Sequence, residues 1–319
     1  MDSIREISFD LWDKDPEQFA HLFGNSLKSI GFCGVTNHPI TKDLVDDSIA
    51  LFKEFFGQPT ALKMKYFDKD IGGARGYTPY KIETPKDGEH ADLKEFWQMG
   101  RDLPEQHPYK QFMFDNCFVS EMPEFKTKIQ RLFREFDRFG KQLMQAISIH
   151  LSLDSHYFDG FIDQGNSVLR AIHYPPIIAK ELGDRSGPHG DINLITLLIG
   201  GHKPGLEILK NNKWIPAETG QETILCNVGD MLERFTNNQL PSAIHRVTSD
   251  SDEIKDTSRY SIPFFLHPNP DWIIETLASC IDEENPNLYT ESILSDDFLQ
   301  QRLYRSEERR VGKECRSRW

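Results

Sequence analysis

Three residues far apart in the chain share one kind of chemistry. The stretch "GPHGDINLITLLIG" (Gly187 to Gly200) carries His189 and Asp191 just before an apolar run, and "SAIHRVT" carries His245. Residues i and i+2 of a strand face the same way. The spacing therefore predicts that His189 and Asp191 aim together from a strand's start into a cavity. Two imidazoles and one carboxylate are the donor set of facial non-haem iron(II) sites, which leave coordination positions open. The same set would also accept manganese or zinc. Alone, a His-X-Asp is a weak signal, and His245 by itself reads as a core histidine. A second such pair, His90 and Asp92, is followed directly by Lys94 and Glu95 and reads as solvated.

A second constellation lies in "RYSIPFFL". Arg259 and Ser261 are again two apart, so a guanidinium and a hydroxyl point one way. Arg offers a rigid two-pronged donor and Ser adds a further donor, which makes a carboxylate clamp. The apolar residues that follow imply burial, and a buried Arg needs an anion. Tyr174, in "AIHYPP", could add a phenolic hydroxyl at the same pocket. Candidates for a substrate wall are Phe264, Phe265, Leu206, Arg75, Tyr77 and Tyr80, each of which could equally be a packing residue.

These residues need elements to position them. Apolar residues at mixed steps of three and four predict helices over Pro16 to Ile30 and about Lys42 to Phe56. The longest helix is expected over Glu124 to Leu151, where Ile129, Leu132, Phe136, Phe139, Leu143 and Ile147 form one apolar stripe for core packing. "GFCGVTNHPI" reads as a strand that ends in a turn, and residues 71–86 as a loop with short extended pieces. From Ser167 onward come short β-rich runs broken by Gly, Pro, Asn and Asp, among them "SVLRAIHY", "LITLLIG", "LEILK", "WIPA", "TILCNV", "MLERF", "AIHRVT", "RYSIPFFL" and "WIIETL". Strands at this spacing indicate a sandwich or barrel. The class expected is mainly β with flanking helices.

The 319 residues, 38% hydrophobic and 11% aromatic, fit a cored globular protein. No linker divides them, so one domain is expected over 1–304. Within it, a mixed α/β region occupies about 1–120, the long helix about 124–151 and the β-core about 165–275. No apolar run approaches the ~18 residues of a membrane helix, and the start carries no secretory pattern. The net charge of −13 argues against a nucleic-acid partner. Five scattered cysteines without a CxxC pair favour a reducing, cytoplasmic setting. A monomer acting on a small molecule, away from nucleic acid and membrane, is expected. The last stretch, "RSEERRVGKECRSRW" (305–319), reads as translated sequencing adapter. Its six Lys/Arg and three Asp/Glu contribute +3, so the chain before it carries −16, and it is set aside from fold reasoning.

Taken together, "HGDINLITLL", "NVGDMLERFTNNQLPSAIHRV" and "RYSIPFFL", with "GFCGVTNHPI" and "DLKEFWQMG" earlier, resemble the iron(II)/2-oxoglutarate-dependent dioxygenases of the isopenicillin N synthase-like group. The resemblance covers nearly all of residues 4–304. It implies a distorted double-stranded β-helix (jelly-roll) core behind a mixed N-terminal region. It implies Fe(2+) on His189, Asp191 and His245, and 2-oxoglutarate held at its distal carboxylate by Arg259 and Ser261 with help from Tyr174. O2 would be the other cosubstrate, and hydroxylation, desaturation or ring closure of a small metabolite would accompany release of succinate and CO2. Two departures stand out. Ile172 replaces an Asn often found two residues before the tyrosine, and "SDSDEIKDTS" lengthens the gap before Arg259, where a surface hairpin is expected. Two alternatives remain open: an oxidase of the same family that uses no 2-oxoglutarate, and a non-catalytic carboxylate-binding β-helix protein.

Overall fold

The computed structural model describes residues 4–84, 90–177, 183–249 and 255–303. The N-terminal region runs β1 (Glu6–Ser8), α1 (Asp10–Lys14), α2 (Pro16–Ile30), β2 (Phe32–Thr36), α3 (Lys42–Phe56), α4 (Thr60–Lys63), β3 (Gly76–Thr78) and β4 (Glu95–Gly100). Helices α5 (Phe125–His150) and α6 (Asp159–Ile162) follow. Then come β5 (Val168–Tyr174), β6 (Ser186–His189), β7 (Ile195–Ile199), β8 (Leu206–Lys210), β9 (Lys213–Pro216) and β10 (Ile224–Val228). Helix α7 (Asp230–Phe235), β11 (His245–Val247), β12 (Arg259–Leu266), β13 (Ile273–Ile274) and β14 (Ile293–Leu294) complete the labelled elements, and residues 295–303 are helical.

The helices end where local chemistry ends them. Asp15 caps α2 by accepting the Gln18 amide, Pro16 occupies its first turn, and Gly31 closes it at φ 72°. The long α5 keeps its apolar stripe inward, with Glu124 and Leu151 as its caps.

An eight-stranded sheet, in the order β1-β2-β10-β7-β12-β5-β4-β3, faces a four-stranded sheet, β6-β11-β8-β9. Strands of the N-terminal region thus hydrogen-bond both edges of the larger sheet. Its outer face packs on the helices through Leu197, Phe264 and Trp97. There Phe264 stacks on Phe136 of α5 at 5.3 Å. Its inner face, with Phe96, Ile172, Tyr174 and Leu225, meets Leu206, Ile208 and Val247 of the smaller sheet. This inner space between the sheets of the jelly roll is where the site lies.

Several expectations change. "MLERF" is helical, not extended: the Asp230 and Met231 amides bond the carbonyls of Asp191 and Ile192, which starts α7 and turns Met231, Leu232 and Phe235 inward. Only Ile273–Ile274 of "WIIETL" is a strand. The His90/Asp92 pair is not solvated as a unit. His90 is exposed, but Asp92 is buried, pairs with buried Lys94 at 2.7 Å and accepts the Gly187 amide at 2.9 Å. It braces the strand that carries His189. The expected tail and the middle of the expected hairpin (250–254) lie outside the described residues.

Candidate active site

His189 closes β6 and His245 opens β11, and the two are register partners in that antiparallel pair. Asp191 is not on a strand with His189, as the spacing suggested. It lies in the connection that leaves the smaller sheet for β7 of the larger one. The chain reversal nevertheless brings the three together: Asp191 Oδ1 is 4.0 Å from His189 Nε2 and 3.9 Å from His245 Nε2. One donor atom from each lies within 4.8 Å of the others.

The surroundings prepare each donor. His189 Nδ1 lies 2.7 Å from the Gly187 carbonyl, and His245 Nδ1 lies 3.0 Å from that of Ala243. With Nδ1–H donating there, each Nε2 keeps its lone pair for a metal. The edge of Phe32 fixes the His245 ring at 5.6 Å. Asp191 Oδ2 accepts from Thr196 Oγ1 (2.6 Å) and Asn227 Nδ2 (2.7 Å), which leaves Oδ1 aimed at the histidines. Desolvation by its surroundings, then His245, pull the His189 pKa below its ordinary value. Burial pushes the Asp191 carboxyl up. The two imidazoles and two hydrogen bonds outweigh that, and it stays below its ordinary value.

Arg259 and Ser261 share the inner face of β12, with Arg259 opposite Tyr174 and Ser261 opposite Ile172 of β5. Arg259 is 3% exposed, and its guanidinium lies 5.6 Å from the centroid of the Tyr174 ring. Its Nη2 donates to the Gly200 carbonyl at 3.3 Å, while Nε and Nη1 have no partner among the described residues. Gly200, at φ 84°, is required there, because a Cβ would meet the Tyr260 carbonyl at 2.7 Å. Burial lowers the pKa of Arg259. An arginine remains charged even so, and a buried charge with unused donors calls for an anion. The donor set thus fits a divalent metal, and the orphaned guanidinium fits a carboxylate.

Comparison with known proteins agrees along the chain. Residues 4–121 match the N-terminal region described for the non-haem dioxygenase in morphine synthesis, and residues 165–268 match the 2OG-Fe(II) oxygenase superfamily. The chain belongs to the iron(II)/2-oxoglutarate-dependent oxygenases. A crystal structure of a 2OG-Fe(II) oxygenase family protein from Caulobacter crescentus superposes with a TM-score of 0.89 at 43% identity, covering 95% of this chain and 99% of that one. A full-length Neurospora crassa protein, solved in complex with alpha-KG, superposes with a TM-score of 0.82 at 28% identity, covering 94% and 95%. Proline hydroxylase buaE of Petromyces alliaceus is 30% identical over 89% of this chain and 91% of its own. As an oxygenase of this family, the protein uses Fe(2+), 2-oxoglutarate and O2, and it oxidises a small organic molecule. Among the described residues, no helix is long and apolar enough to cross a membrane.

The residues expected at the oxygenase's substrate wall separate. Phe265 is half-buried on the inner face, with the Arg170 guanidinium 5.6 Å from its ring. Leu206 belongs to the inner apolar cluster. Phe264 points to the helices instead, since neighbours on a strand face opposite ways. Tyr77 also lies on the outer side, against Phe55, and its hydroxyl donates to Glu95 at 2.6 Å. It is a core anchor and not a wall residue. Tyr80 is a half-buried turn residue. Sequence reasoning missed Thr196 and Asn227. The only signal for them was a polar residue inside each of two apolar strands, "LITLLIG" and "TILCNV".

Proposed function

We propose that His189, Asp191 and His245 hold the iron of this 2-oxoglutarate-dependent dioxygenase, and that Arg259, Ser261 and Tyr174 hold the distal carboxylate of 2-oxoglutarate. The observation that carries the second assignment is Arg259 itself, buried with two donor nitrogens unused among the described residues. The first rests on three donor atoms within 4.8 Å of one another. Bound iron with 2-oxoglutarate supplies the oxidising chemistry, in which dioxygen is consumed and succinate and CO2 are released with the oxidised substrate.

The chain's own residues bind and orient. Thr196 and Asn227 hold the Asp191 carboxylate so that one oxygen faces the metal position. The Gly187 and Ala243 carbonyls, accepting from Nδ1–H, orient each ring with Nε2 toward the metal position. Arg259 and Ser261 fix one end of the cosubstrate, and the apolar inner face keeps bulk water from it.

Neither the oxidase nor the carboxylate-binding alternative is favoured by the relatives. Placement in the isopenicillin N synthase-like group rests on the motif resemblance. We further read residues 1–304 as one oxygenase domain, because strands from both regions share one sheet. A cytoplasmic monomer without nucleic-acid or membrane partners completes the reading; the four cysteines that are free among the described residues fit a reducing compartment.

The test is to add 2-oxoglutarate to iron(II)-loaded protein without oxygen and record the visible spectrum. A new metal-to-ligand charge-transfer band is expected. Iron bound with no such band would move Arg259 to another carboxylate.

A further inference from the structure

Arg75 is a second buried guanidinium without an anionic partner among the described residues. It is 5% exposed. Its Nη1 bonds only the adjacent Ala74 carbonyl, at 2.7 Å, and its Nε has no partner. Asp102, the carboxylate that acts on it electrostatically, is bonded instead to Asn116 (2.6 Å) and Gln130 (2.7 Å). Buried lysines of this protein are treated differently. Lys63 sits on Glu95, and Lys94 on Glu83 and Asp92, each at 2.7 Å. Arg75 shares its condition with Arg259. Burial lowers its pKa to about 10, so the charge persists at neutral pH.

The position of this charge is informative. The guanidinium lies over Gly100 of β4, where an added Cβ would come within 2.1–2.6 Å of Nη2, Cζ and Nε. Gly100 pairs with Val168, Val168 with Phe265, and Phe265 with Thr196, which bonds Asp191. This is one row across the inner face. Three strand spacings, ~14 Å, separate Thr196 from Gly100, with half-buried Phe265 and Val168 between them. His267 lies two residues beyond Phe265, buried, and both Asp191 and Arg75 act on it electrostatically. The neighbouring Arg170 is already answered by Glu83 and Gln98. A guanidinium with no direct ion-pair partner among the described residues therefore closes a row that is apolar in the middle and begins beside the proposed iron site. Arg259 lies elsewhere on the same face, on the cosubstrate's side.

We propose that Arg75 receives the carboxylate of the substrate, an apolar monocarboxylate that lies over Phe265 and Val168 with its oxidisable carbon toward His189, Asp191 and His245. The proposal rests on the oxygenase site described above. A single fork-shaped cation with an unused buried donor matches a carboxylate in charge and geometry.

The test uses the full chain with iron(II) and 2-oxoglutarate, without oxygen. Hydrocinnamate, octanoate and their primary amides are added in turn, with thermal unfolding and the visible band recorded together. The acids are expected to stabilise the protein and perturb the band, and the amides to do neither. Arg75→Gln should weaken acid binding by on the order of 30-fold or more while the 2-oxoglutarate band stays. Gly100→Ala keeps the charge but displaces the guanidinium, and should weaken the acids in the same way. Amides binding as well as acids, no binding by either, or acid binding unchanged in Arg75→Gln would overturn the proposal. A missing band with acid preference retained would instead remove the cosubstrate reading and leave the anion site standing.

Discussion

His189 and His245 are register partners across two antiparallel strands, and their ring centroids lie 4.4 Å apart. The smaller sheet thus supplies both imidazoles as a rigid pair. The chain leaving that sheet supplies the carboxylate, held by two side chains of the larger one. The cluster therefore joins the two sheets.

Removing a donor should silence the enzyme without unfolding it. His189→Ala or Asp191→Ala is expected to abolish succinate release and iron retention, while circular dichroism stays that of the wild type. Wild-type turnover in either variant would break the assignment. Chelation should act likewise on the intact chain. Metal at 100 times its Kd stabilises a fold by about 2.7 kcal/mol, so the melting temperature should drop on chelation and return with iron(II).

Thr196 would act on the proposed metal site through Asp191. Thr196→Val keeps the shape and removes one hydrogen bond from Oδ2, with the Asn227 bond remaining. Loss of such a supporting partner costs roughly 10–100-fold in metal affinity. An iron titration should show it, and unchanged affinity would make the bond incidental.

Arg259→Ala should raise the 2-oxoglutarate requirement by on the order of 30-fold or more, because half of a buried charge pair costs about 2–5 kcal/mol. The KM for 2-oxoglutarate measures it. An unchanged KM would place the clamp elsewhere.

Metal-free protein should lose stability on mild acidification. Burial holds the pKa of His267 near 4, against about 6.5 when unfolded. Between these values the unfolded chain binds more protons, so stability present above pH 6.5 is lost as pH falls toward 4. His189 is depressed in the same direction. His267→Asn should flatten the urea-midpoint profile over this window, by up to about 3 kcal/mol at its acid end. An equally steep profile in the variant would assign the loss to other groups.

Glu95 joins Lys63, Tyr77 and His173 at 2.7, 2.6 and 2.8 Å on the outer side of β4. Glu95→Ala leaves the buried Lys63 ammonium without its carboxylate. A loss of about 3–5 kcal/mol is expected in chemical denaturation. Near-neutral stability would mean that water reaches Lys63.

Local pattern and residue type were readable along the chain. The three long helices follow from apolar steps of three and four, with Asp15 and Gly31 marking the ends of α2. His189, Asp191, His245, Arg259 and Ser261 stood out in the sequence only as a set in one order along the chain, since a His-X-Asp alone is a weak signal and recurs at His90 and Asp92. Their company was decided only by tertiary structure. Nothing near Thr196 or Asn227 in sequence says that both hold Asp191, because that contact depends on which strands neighbour one another. Phe264 and Phe265 look alike on paper, yet one packs on α5 and the other faces the site. Arg75 and Tyr77 sit in one short loop-and-strand segment and end on opposite faces of the sheet, one over Gly100 and one against Glu95. Periodicity is a property of a few consecutive residues, whereas strand order, sheet face and the partner of a buried charge are set by pairings between distant parts of the chain.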